Sequence, residues 1–304
     1  MPQYTMRDQA PLYVREFGTG QPVLVLSGLG MQSWQWLPYL LPQRKNYRFI
    51  IPDWRGFGGS QHCSIPEEDA ISNHWLDIQS LIKQLPEQKY KVIAYSMGAT
   101  TAMHGMQYGH FAEHISAYLH IDQTPKIASD ADWPYGLLGI KYAQLSPLLT
   151  QLSTFLTEHQ HYQNLKKLPN PARLQLVQLW LQFLALQGQG LPMRLLEKTL
   201  NNHQVQQLIL PMQRLDYMKW YIDNYLHHRE DYREALKTLQ VPTTFFIGAR
   251  SSLYDPAGQH QIADSVQHAQ RVVFQRSGHV PLISEPLKFT KALHQFLKSA
   301  ESSS

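Results

Sequence analysis

The sequence predicts an α/β fold: a mostly parallel sheet flanked by helices and interrupted by an all-helical insertion. Three observations carry this. Short runs rich in Val, Ile and Leu recur without strict polar alternation, as in strands buried on both faces. Segments with helical spacing separate them, the order that right-handed crossovers produce. Residues from about 125 to 235 carry helical patterning and no convincing strand.

The elements follow in order. PLYVREFG (11–18), PVLVLSG (22–28), YRFIIPD (47–53), KVIAYS (91–96) and ISAYLHID (115–122) read as strands. Between the third and fourth, Ile71, Trp75, Ile78, Ile82 and Leu85 fall on one face of a helix. The next segment is rich in Leu, Gln, Tyr and His and is broken at Pro147, Pro169, Pro171, Pro192 and Pro211. Its greasiest stretch, residues 174–187, carries glutamine throughout and reads as a buried amphipathic helix, too polar to span a membrane. From Val241 the alternation returns: strand VPTTFFIG, helix AGQHQIADSV, strand QRVVFQRSG and helix PLKFTKALHQFLKS. The domain organisation expected is a core of residues 1–124 and 236–304 with a helical cap of residues 125–235. The cap would sit over the carboxyl ends of the strands, where such sheets bind ligands.

Composition narrows the function. Hydrophobic residues are 43% of 304, enough for a sizeable core. The 27 Lys+Arg and 23 Asp+Glu are dispersed, with no basic block to track a phosphate backbone, so no nucleic-acid partner is expected. The single cysteine, Cys63, cannot form an intramolecular disulfide, and the first residues lack a basic-then-apolar leader; a cytoplasmic location is expected. No metal-ligand spacing and no phosphate-binding glycine loop with lysine occur, so no metal and no cofactor are expected.

Lys91–Thr100 is the strongest chemical signal. A short apolar strand runs into Tyr95-Ser96-Met97-Gly98 and then into small residues. Such a strand-to-helix turn pushes one side chain out above the sheet, and leaves room only for small residues two before and two after it, here Ala94 and Gly98. The helix that begins at Ser96 favours negative charge there. A serine hydroxyl needs a base within hydrogen-bond reach. Of 15 histidines, His279 lies in a Gly-His loop after the last strand, a context that His62, His74, His104 and His110 lack.

With these motifs in order, the chain resembles the α/β-hydrolase family, in a serine-nucleophile, esterase-like branch with a helical cap. Ser27-Gly28-Leu29-Gly30 is similar to the family's oxyanion loop, with Ser27 where histidine is usual. Residues 53–60, DWRGFGGS, resemble its Asp-x-Arg-Gly-x-Gly-x-Ser loop; Asp53 and Arg55 are read as bracing groups. The elbow at Ser96 departs by having Ala94 for glycine, and Ser277-Gly278-His279 resembles the catalytic-histidine loop.

The resemblance implies Ser96 as nucleophile, His279 as base, and backbone N–H groups of Leu29 and Met97 as the oxyanion hole. The usual acid, in Gly-x-x-Asp after the penultimate strand, is here Ser251 in Gly248-Ala249-Arg250-Ser251. Two replacements stand open, Asp122 at a strand end and Asp255 four residues beyond Ser251; Asp122 is preferred because the sheet sets its position. Met31, Trp34, Tyr135, Leu138, Trp180 and Trp220 are candidate pocket residues, with Trp36 and Leu137 beside them.

The implied reaction is hydrolysis of a carboxylic ester, lactone or thioester through an acyl-serine, on an apolar small-molecule substrate. A serine at the elbow sets aside the aspartate-nucleophile dehalogenases and epoxide hydrolases. Alternatives are a carbon–carbon bond hydrolase, a peroxide-using relative, or a small-molecule receptor on the same fold.

Overall fold

The computed structural model of the chain describes residues 3–187, 210 and 212–299. Eight strands form one sheet: β1 (Gln3–Thr5), β2 (Pro11–Phe17), β3 (Gln21–Leu26), β4 (Tyr47–Pro52), β5 (Tyr90–Tyr95), β6 (Ile115–Ile121), β7 (Thr243–Gly248) and β8 (Gln270–Phe274). Their order is β1-β2-β4-β3-β5-β6-β7-β8. β1 and β2 pair antiparallel, as do β2 and β4; every later pair is parallel. All the expected strands form. β1 escaped the reading because three half-exposed edge residues carry no periodic signal.

The unalternating apolar runs have a direct explanation. In β3, Leu24 and Leu26 face one core cluster while Val23 and Val25 face the other. Successive side chains of a strand point to opposite faces, so a sheet covered on both sides needs apolar residues at every position.

The helices introduced in chain order are α1 (Leu37–Leu40), α2 (Ala70–Ile82), α3 (Met97–Tyr108), α4 (Tyr142–Glu158), α5 (Asn170–Leu186), α6 (Leu215–His227), α7 (Arg233–Lys237), α8 (Pro256–Ser265), α9 (Pro281–Ser284) and α10 (Pro286–Ser299). α2 starts where Asp69 accepts from the amides of Ile71 and Ser72 and ends at Ile82, one turn before the expected Leu85, which stays buried in the following turn. α10 covers one sheet face with Phe289, Leu293, Phe296 and Leu297. α2 and α3 cover the other.

Between β6 and β7 the described residues form α4 to α7 and no strand; only isolated bridges occur, among them Lys126 to Asp231. That bridge, with the Tyr232 amide donating to Pro125 O at 2.9 Å, closes the neck through which the chain leaves and re-enters the sheet. Pro147 does not break the chain as expected. It lies inside α4 as the sixth residue of the helix. There it removes one amide donor without ending the helix, because the apolar face of Leu145, Leu148, Leu149, Leu152 and Phe155 stays buried on both sides of it. Pro192 and Pro211 lie outside the described residues.

The chain runs from β3 to β4 on one side, then returns to place β5 on the other. The carboxyl ends of β3 and β5 therefore flank a point where the crossovers diverge, which leaves a crevice.

Candidate active site

Ser96 occupies that crevice. It has φ 51° and ψ −122°, between the end of β5 and the start of α3. A non-glycine residue rarely adopts positive φ, and surrounding structure must hold it there. The Ser96 amide donates to Ile121 O at 3.0 Å, tying the turn to β6. Gly98 is obligatory, since a Cβ there would lie 2.1 Å from Leu26 O.

His279 lies between β8 and α9. Its Nε2 is 3.0 Å from Ser96 Oγ and its Nδ1 is 2.9 Å from Asp122 Oδ1. A carboxylate only accepts, so Nδ1 carries the proton and Nε2 is left to accept from the serine hydroxyl. The imidazole stacks on the Tyr95 ring at 5.4 Å and meets the edge of Tyr254 at 5.4 Å. The Tyr95 hydroxyl donates to His279 O at 3.0 Å, which pins the loop from below.

Asp122 follows β6 with φ 41° and is fully buried. Its amide donates to Phe246 O, its Oδ2 accepts from the Gly248 amide at 2.9 Å, and its Oδ1 accepts from Ser251 Oγ at 2.7 Å as well as from His279. Asp255 sits elsewhere. It is exposed and caps α8, accepting from the Ala257 amide at 2.8 Å.

The two amides expected to stabilise the anion follow the carboxyl ends of the adjacent strands β5 and β3. Met97 is the first residue of α3, whose amide has no acceptor within the helix. Leu29 is at the corner of a turn closed by the Met31 amide donating to Gly28 O at 3.1 Å, with Gly30 at φ 80°, as a type II turn requires. Ser27, in the histidine position of the family, is buried; its Oγ accepts from Trp36 Nε1 at 3.0 Å and its carbonyl from Trp54 Nε1 at 2.7 Å. Asp53 accepts from the amides of Ser33 and Gly59, and Arg55 is buried in contact with Asp77 and Asp8, so both brace loops.

A cavity of about 290 Å³ opens above Ser96 and His279. α6 lines it with Met218, Tyr221, Ile222 and Tyr225, one face at i, i+3, i+4 and i+7. Leu149 of α4, Trp180 and Phe183 of α5, Leu137, and Leu253-Tyr254 after β7 complete the wall. None of the described lining residues is Asp, Glu, Lys or Arg. Burial pushes the Tyr221 and Tyr254 phenols well above their ordinary value, so they remain neutral donors.

Of the expected pocket residues, Trp180 and Leu137 line this cavity. The others do not. Met31 is buried with Trp36 in the core beneath the sheet. Trp34 is 54% exposed and donates to Gln32. Tyr135 packs against Gly258 of α8 and the edge of Trp133. Leu138 is buried in a left-handed turn whose amide donates to Leu253 O at 2.7 Å. Trp220 points from the back of α6 to His74, donating to Glu68 O at 2.9 Å. The missed residues of α6 were readable as an apolar and aromatic stripe, but nothing in their spacing says which stripe faces the sheet and which the cavity.

The profile of the alpha/beta hydrolase family matches residues 23–292. The chain is 23% identical over 287 residues to a pimeloyl-[acyl-carrier protein] methyl ester esterase of Aliivibrio salmonicida, covering 94% of this chain and 96% of that protein. It is 24% identical over 280 residues to the protein of the same name from Vibrio vulnificus strain CMCP6, covering 92% and 95%. Among solved structures, an esterase from Exiguobacterium antarcticum superposes with a TM-score of 0.69 at 19% identity, covering 97% of this chain and 98% of that one; at that identity it speaks to fold.

Proposed function

The chain belongs to the alpha/beta hydrolase family, and from that premise we propose that it hydrolyses a carboxylic ester of an apolar, uncharged acyl group through an acyl-serine intermediate. The observation that carries this is the in-line pair of hydrogen bonds, Ser96 Oγ to His279 Nε2 at 3.0 Å and His279 Nδ1 to Asp122 Oδ1 at 2.9 Å, beneath an apolar cavity. The names of the similar proteins, methyl ester esterases, support the same reaction class.

In this reading His279 Nε2 takes the Ser96 proton as Oγ attacks the ester carbonyl. The oxyanion that forms lies against the amides of Met97 and Leu29. Asp122 keeps the imidazole in the Nδ1–H tautomer and stabilises the imidazolium. The imidazolium then protonates the departing alkoxide, and the carbonyl re-forms as the acyl-serine. A water, deprotonated by the same Nε2, attacks that ester; Ser96 leaves with the proton and the free acid departs. The cavity accommodates the acyl chain. Its described lining is mostly apolar, which favours an uncharged acyl chain.

The domain division belongs to this proposal: residues 1–124 and 236–304 as core and 125–235 as cap. The neck at Pro125–Lys126 and Asp231–Tyr232 supports it. A cytoplasmic site of action is also part of it, supported by the single cysteine, whose thiol burial pushes up. Among the described residues no helix is long and apolar enough to cross a membrane.

The test is Ser96→Ala. It is expected to abolish fluorophosphonate labelling and to cut kcat on a p-nitrophenyl ester panel by about 10⁶. Labelling at one site in the alanine variant would sink the assignment. A panel graded by acyl length and terminal charge then tests the cavity: neutral acyl chains, including a methyl-capped diacid, are expected to exceed the free-acid counterpart in kcat/KM.

A further inference from the structure

Ser251 stands where the family's acid is usual, and the structure gives it a different task. The Ser251 amide donates to Gly248 O at 3.0 Å, so the turn after β7 brings its side chain back toward β6. The side chain is buried, 7% exposed. Its Oγ accepts from the Tyr254 amide at 3.4 Å and lies 2.7 Å from Asp122 Oδ1. Asp122 is acceptor-only when ionised, so the hydroxyl proton points to the carboxylate. Oδ1 thus receives two donors, Ser251 Oγ–H and His279 Nδ1–H, while Oδ2 receives the Gly248 amide.

We propose that Ser251 is a positioning residue: its hydroxyl orients the Asp122 carboxylate and shares the oxygen that holds His279, and thereby sets how tightly the imidazolium is held during turnover. The proposal rests on the triad reading above and deepens it. A buried carboxylate is stabilised by each donor it accepts, and a donor shared on one oxygen lowers what that oxygen offers to the other. Without the hydroxyl, Oδ1 has His279 alone. The carboxylate then binds the imidazolium more strongly, and apart from His279 itself the Gly248 amide is the remaining donor that orients it. Ser251 does not line the cavity, so the effect falls on the chemical step and spares substrate binding.

The groups that face the Asp122–His279 pair do not confuse a pH measurement. Tyr95 stacks beneath the imidazole and Tyr254 meets its edge, and burial raises both phenols far above the assay range. His120, two residues before Asp122, is lowered to about 4 by burial. The Arg250 side chain is exposed.

The experiment compares wild type, Ser251→Ala and Ser251→Thr on one p-nitrophenyl ester, with Ser96→Ala as a separate arm. For Ser251→Ala, kcat is expected to fall about tenfold with KM within about twofold. The acid limb of kcat/KM is expected to move up by roughly half a pH unit or more, since a more firmly held imidazolium gives up its proton at higher pH. The Nδ1 proton resonance of His279 is expected downfield of wild type. Ser251→Thr, which returns the hydroxyl, is expected to restore the limb and the resonance. A Ser251→Ala protein whose melting temperature falls while the limb and resonance stay fixed would reduce Ser251 to packing and overturn the proposal. So would an alanine variant indistinguishable from wild type. If Ser96→Ala still hydrolyses the ester, the triad reading itself fails and this proposal with it; if Ser96→Ala is dead and the Ser251 signatures are missing, only this proposal fails.

Discussion

Asp122 and Asp255 are both short acids at the carboxyl edge of the sheet, yet their surroundings give them unlike roles. Asp122 is fully buried and its carboxylate accepts from three donors: Gly248 N–H, Ser251 Oγ–H and His279 Nδ1–H. Asp255 is exposed and accepts from one amide at the start of α8. Asp122→Asn presents an amide donor or a weaker acceptor to the imidazole and is expected to lower kcat by about 10⁴ through the wrong tautomer. Asp255→Ala is expected to leave kcat unchanged and to cost about 1 kcal/mol of stability as a lost cap. Steady-state kinetics and denaturant melts on the two variants check this; a large kcat loss confined to Asp255→Ala would reverse the assignment.

At the scale of elements, the site depends on how closely the ends of β6, β7 and β8 approach. Gly248 ends β7, and a Cβ there would lie 2.1 Å from Gly278 O and 2.8 Å from Asp122 Oδ2. Both contacts belong to the supports of His279. Gly248→Ala is therefore expected to push the Gly278-His279 loop from Asp122 and lower kcat by about 10² or more, since ångström-scale misplacement of a catalytic group costs that much. Circular dichroism at the assay temperature separates this from unfolding; a folded variant with wild-type kcat would refute the close-packing argument. The same scale explains the pocket. α6 turns Met218, Tyr221, Ile222 and Tyr225 to the cavity and Trp220 to α2, so a single helix serves both the site and the join to the core.

Over the whole molecule, that join is lined with buried histidines. His74 in α2 shares a hydrogen bond of 3.0 Å with Tyr221 of α6, and His228 after α6 shares one of 3.1 Å with Tyr232. Burial lowers His74 to about 3 and His228 and His120 to about 4. The sign follows from proton uptake. The unfolded chain protonates each imidazole near pH 6.5, and the folded chain resists until the lowered value. Stability is thus complete above about pH 6.5 and is lost as pH falls from there toward 4. At pH 5 the loss is on the order of 2 kcal/mol for each of these histidines. Urea unfolding at pH 7.5, 6 and 5 checks this; a profile flat down to pH 5 would rule it out.

The α/β class and seven of the eight strands were legible because a strand buried on two faces must be apolar at successive positions, a local pattern. The Ser96 turn was legible because its geometry excludes side chains at fixed offsets, as Gly98 against Leu26 O demonstrates. β1 was not, being three edge residues whose pairing with β2 is non-local. Nor did spacing choose between Asp122 and Asp255, since what separates them is which donors the ends of β7 and β8 bring within reach. The pocket wall was the least legible part. Met31, Tyr135 and Leu138 are apolar or aromatic in the same way as Met218, Tyr221 and Ile222, and only packing decides which of them is covered by the core and which is left facing a cavity. Ser251 shows the same division: the sequence determined that no acid stands there, and the fold of the turn after β7 decided that its hydroxyl would meet the acid from β6.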